Sequence, residues 1–171
     1  MQNILTTYEN YFADVASRHP GLPHITGNAR ETEFFTVAEP EEIYGELKRR
    51  LNTSKFCLLV DKPELSTSSN QARQFHTNMQ GGIELIIKRK STSPTLISAQ
   101  QNEALNLLAP IEARIRWQHE KRTLPLGFAR DSFRTVFLHD KENEVVGARL
   151  EFAFFFILPP CQHDAAAWGD V

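Results

Sequence analysis

Apolar residues recur at helical spacing over 3–18, where Ile4, Leu5, Tyr8, Tyr11, Phe12 and Val15 share a stripe beside polar Glu9, Asn10 and Asp14. This predicts an amphipathic helix. The segment HPGLPH that follows stops it, because two prolines around a glycine cannot continue the ladder. Residues 33–38 (EFFTVA) read as a short strand. Residues 41–51 (EEIYGELKRRL) carry acids in the first turn and bases in the last, the charge order a helix dipole favours, and predict a second helix. FCLLV at 56–60 is a short apolar run with polar neighbours, as expected of a strand buried on both faces inside a sheet.

Residues 61–72 (DKPELSTSSNQA) have no apolar period and predict a loop. Over 75–90 the pattern alternates, with Phe75, Thr77 and Met79 before Gly81 and Gly82, and Ile83, Leu85 and Ile87 after them. It reads as one long strand with a bulge or bend at the glycines. Ser98 and Gln101 have capping-box spacing and place the start of a third helix, whose apolar face is Leu105, Leu108, Ile111 and Ile115, with a kink expected at Pro110. Residues 132–140 and 145–159, separated by KENE, predict an antiparallel hairpin. Three helices and four or five strands without regular alternation define an α+β class: an antiparallel or mixed sheet with helices mainly on one face. The expected organisation is one domain over 1–160 and a C-terminal tail over 161–171.

Composition narrows the functional classes. The 171 residues include 19 basic and 21 acidic ones, a formal charge of −2, which supplies no global attraction to nucleic acid or to an anionic membrane. No apolar run is long enough for a membrane span, and the N-terminus lacks the basic start and apolar stretch of a signal peptide. Two cysteines, Cys57 in FCLLV and Cys161 near the C-terminus, do not form a disulfide framework, so a reducing cytoplasm is expected.

Candidate chemistry is sparse. Cys161, His163 and Asp164 could ligate a metal, but no second ligand pair accompanies them, so no metal and no cofactor are expected. The six histidines are scattered and no serine sits in a nucleophile elbow; Cys57 reads as a small core residue. Bases cluster at Lys88, Arg89 and Lys90 and at Arg114, Arg116, Lys121 and Arg122 around Trp117 and His119. Glu112 and Glu120 dilute the second cluster, which argues against direct nucleic-acid binding. No catalytic residue is assigned, and the chain reads as a non-enzyme.

The last strand differs from the others. Alternation places Leu150, Phe152, Phe154 and Phe156 on one face, which reads as core. Arg149, Glu151, Ala153, Phe155 and Ile157 fall on the other, a face that begins charged and ends apolar. Something is expected to cover both sides near its C-terminal end: a helix of the same chain or a neighbouring subunit. Arg149, Glu151, Phe155 and Ile157 are therefore the candidate interface residues.

Over 98–158, the helix SAQQNEALNLLAPIEARI followed by a hairpin whose second strand runs G-A-R-L-E-F-A-F resembles the small tail-terminator, tail-completion and minor tail proteins of long-tailed bacteriophages and prophages. The resemblance implies a non-enzymatic α+β subunit that assembles into a ring at a tail end or head-to-tail joint. It also implies partners that are copies of itself and other tail or neck proteins, and a place first in the cytoplasm and then in the virion. No residue roles carry over. The alternative is a small intracellular binding module of unknown ligand.

Overall fold

The computed structural model describes residues 4–22, 34–36, 55–69, 75–124, 127–129 and 131–157. The elements are α1 (Ile4–Arg18), β1 (Phe34–Thr36), β2 (Cys57–Val60), β3 (Glu64–Ser69), β4 (Phe75–Lys88), α2 (Pro94–Glu120), β5 (Gly127–Phe128), β6 (Arg134–Asp140) and β7 (Val145–Ile157). The expected helix over 41–51 and the CQHD segment lie outside the described residues, which hold two helices.

The sheet is built on one antiparallel pair. β4 and β7 run side by side without a register break from His76↔Ile157 to Lys88↔Val145. Each long strand carries two shorter ones end to end along its other edge: β2 and β3 on β4, β5 and β6 on β7. β1 adds in parallel to β2. Seven strands thus occupy five positions across a mixed sheet, and the fold is α+β as expected.

Both helices cover one face. Tyr8 and Phe12 of α1 are fully buried against Phe152 and Phe154, and the Phe12 and Phe152 rings stack 5.3 Å apart. Ile97, Ala104, Leu108, Ile111 and Ile115 form the buried stripe of α2. α1 lies antiparallel to α2, held by Tyr11 Oη donating to Gln118 Oε1 (2.7 Å), by an Arg114–Asp14 ion pair (2.6 Å) and by a His19–Leu107 bond. Gly21 N donates to His19 Nδ1, so the ring proton sits on Nε2 and is given to the Leu107 carbonyl. Burial accordingly lowers the His19 pKa.

Three expectations are corrected. Residues 64–69 form a strand, not a loop. Their polar side chains carry no apolar period because β3 is held by main-chain bonds to residues 75–80 of β4. The glycines at 81 and 82 make no bulge in β4. The extra residue lies in its partner, where Asp61, Lys62 and Pro63 stand opposite Gly81 and Gly82. α2 starts a turn earlier than the capping box suggested, with Pro94 in its first turn and Ser93 as N-cap. Gln101 instead donates to the Leu138 carbonyl. On the face away from the helices, Val145 at the start of β7 is buried together with Ile86, Cys57 and Leu59, whereas Phe155 near its end is 37% exposed.

The two glycines are there for close approach. A side chain at Gly81 would meet the Tyr8 hydroxyl on the helix side, and one at Gly82 would meet Asp61 and Arg149 on the other. Gly81→Ala is expected to destabilise the fold by about 1–3 kcal/mol in urea unfolding. Adding Tyr8→Phe, which removes the obstructing hydroxyl, should recover part of that loss.

Candidate functional site

The face of the sheet away from the helices carries a cluster of charges where both outer strands break. On one side, β2 and β3 are interrupted at 61–63; on the other, β5 and β6 are interrupted at 129–133. Ser132 fills the second gap: its hydroxyl donates to Ala129 O (2.7 Å) and accepts from Ala153 N (2.9 Å), replacing the missing strand partner. Between the breaks lies a cleft of about 640 Å³, lined among others by Asp61, Lys62, Gln80, Ser132, Arg134 and Glu151.

Arg149 is the centre of the cluster. Its guanidinium lies 2.8 Å from Asp61, 3.4 Å from Glu84 and 3.5 Å from Glu151, and Arg134 approaches Glu151 at 3.9 Å. Three carboxylates therefore share one half-buried arginine and one exposed one. The Asp61 contact is an ion pair without hydrogen-bond alignment: among the described residues, neither Asp61 Oδ2 nor Arg149 Nε has a hydrogen-bond partner. Burial pushes the Asp61 pKa up to about 7; Glu84 and Glu151 push the same way and Arg149 opposes them. Beneath the glycines, Tyr8 Oη points at the Gly82 carbonyl (3.4 Å), and burial, aided by the charge of Asp61, raises its pKa well above the usual phenol range.

Of the four sequence-predicted interface residues, the structure brings Arg149 and Glu151 together in this ion network, so both side chains have partners within the chain. Phe155 lies further along β7, where Gly127 of β5 packs against its ring and backbone. The backbone of Ile157 pairs with His76, and its side chain is outside the described residues. The second basic cluster is engaged locally: Arg114 pairs with Asp14, and Arg116 pairs with Glu112 and stacks 4.6 Å over Phe133. Cys57 is a buried thiol, as expected of a core residue. Among the described residues no group of His, Cys, Asp and Glu is arranged to hold a metal, and no helix is long and apolar enough to cross a membrane.

Sequence reasoning missed Asp61 and Glu84. Glu84 was the findable one, since it is a lone acid inside the apolar run GIELII and is 4% exposed. A scan against known protein families finds no matching family, and no curated protein matches the chain.

The raised Asp61 pKa has a definite sign. Between about pH 4, where an unfolded aspartate titrates, and about pH 7, the folded chain holds a proton that the unfolded chain releases. The contribution of this group to stability is complete below that window and is lost as pH rises through it. Asp61→Asn cannot titrate, so its Tm measured relative to wild type should rise between about pH 5 and about pH 8. A flat difference across that range would place the Asp61 pKa in the ordinary range.

Proposed function

We propose that the protein is a non-enzymatic assembly subunit that works by associating with itself and with other structural proteins. The observation that supports this reading is the open edge of the sheet at β6, a seven-residue strand that pairs only with β7 among the described residues and exposes Phe137 (52%). An unpaired strand edge presents a row of amide donors and acceptors, and such edges template pairing with another chain unless charge, proline or a covering element blocks them. β6 has no proline or lysine, and its residues 135–138 (TVFL) are uncharged. The tail or head-to-tail joint of a long-tailed phage is the setting that the resemblance of residues 98–158 suggests.

A small-molecule binding module is the second reading, favoured by the cleft between the two strand breaks. The two separate cleanly. Sedimentation velocity over a wide range of concentration should show the purified protein as a dimer or larger assembly. A protein that stays monomeric throughout, and whose Tm rises with a member of a metal, nucleotide and sugar panel, would be a binding module instead.

A further inference from the structure

We infer that β6 pairs with the β6 strand of a second copy of this chain, antiparallel and centred on Phe137; this rests on the self-association reading and specifies its surface. The direction of the free amides comes first. Ala129 N donates to Ala153 O, so the odd-numbered residues of β7 turn their amides toward the β5–β6 side. Their register partners on β6 are Arg134, Val136, Leu138 and Asp140. Thr135, Phe137 and His139 therefore direct their N–H and C=O groups to the open edge.

Phe137 is the middle residue of β6. A two-fold axis through it sets Phe137 against its own copy and Thr135 against His139 of the second copy, so every outward amide of these three residues meets a carbonyl. The side chains agree with that register. On the face away from the helices, half-buried Val136 falls opposite Leu138 of the second copy, and Arg134 opposite Asp140 of the second copy at both ends. The strand is thus self-complementary in charge and in apolar character. Among the described residues, β1 and β5 at the other edges are only three and two residues long, and β3 offers no comparable match: ELSTSS has one apolar side chain and an acid with no base to face.

Cysteine cross-linking in the full chain reads the register directly. Val136 and Leu138 of opposite copies would lie at a Cα separation of about 4.5 Å, within the range a disulfide spans, while like residues lie diagonally apart. In a Cys161→Ser background with Cys57 left buried, Val136→Cys chains mixed with Leu138→Cys chains should form a covalent dimer under mild oxidation that neither forms alone. Phe137→Cys, on the axis, should link to itself and gives the same readout should either of the other variants fold poorly. Arg134→Glu, at an exposed site, should raise the dimer dissociation constant about tenfold, because both symmetry-related charge pairs are reversed. An assembly that forms without these register-specific links overturns the β6 pairing and leaves self-association standing. A wild-type protein that is monomeric at every concentration overturns both.

Discussion

Everything else in this fold hangs on the pairing of β4 with β7. The two longest strands run together from residue 76 to residue 88 and from 145 to 157, and every other described strand except β1 attaches to one of them. Because the ladder has no register break, the alternation of side chains holds along its whole length. One face receives Met79, Ile83, Leu85 and Ile87 together with Val146, Ala148, Leu150, Phe152 and Phe154, and the two helices need only cover that surface. A shift of one residue would exchange these side chains with Glu84, Arg149 and Glu151.

The midpoint of the same pair is where the sheet is least regular, and the irregularity is confined to the flanking strands. Three residues opposite Gly81 and Gly82, and the gap between Phe128 and Arg134 opposite Phe152 and Ala153, leave both outer strands broken at the same level. The glycines let the Tyr8 hydroxyl and the Asp61–Arg149 pair approach the backbone from opposite faces. A half-buried arginine with three acidic neighbours is a costly arrangement when every acid is ionised, and Asp61, whose Oδ2 meets Arg149 without a hydrogen bond, has its pKa pushed up by burial to about 7.

Much of this was legible in the chain itself. The helical stripe of Tyr8, Tyr11, Phe12 and Val15, the unbroken apolar run at 56–60 and the alternating strands around KENE are all local apolar patterns, and each element appears where its pattern places it. β3 was illegible because its stability comes from main-chain bonds to β4, which leave no mark on side-chain pattern. The start of α2 was misplaced because Ser98 and Gln101 imitate a capping box, while the backbone is set by Pro94 a turn before them. Gln100 illustrates a third case: it is a buried polar residue on an apolar stripe, satisfied only because Lys88 O and Lys90 N lie at the end of β4 beside it.

The charged cluster and the last strand divide along the same line. Alternation alone assigned Leu150, Phe152 and Phe154 to the core and Arg149, Glu151 and Phe155 to the opposite face, because a strand's period of two is a local property of its backbone. Which of those outer residues would have partners was a matter of distance across the sheet. Asp61, from the break between β2 and β3, and Glu84, from β4, reach Arg149 and tie it into the chain, while Phe155, near the end of the ladder between β4 and the two-residue β5, is 37% exposed. Contacts between residues 61, 84 and 149 depend on how the break at 61–63 is laid beside β4 and β7, and no local pattern encodes that.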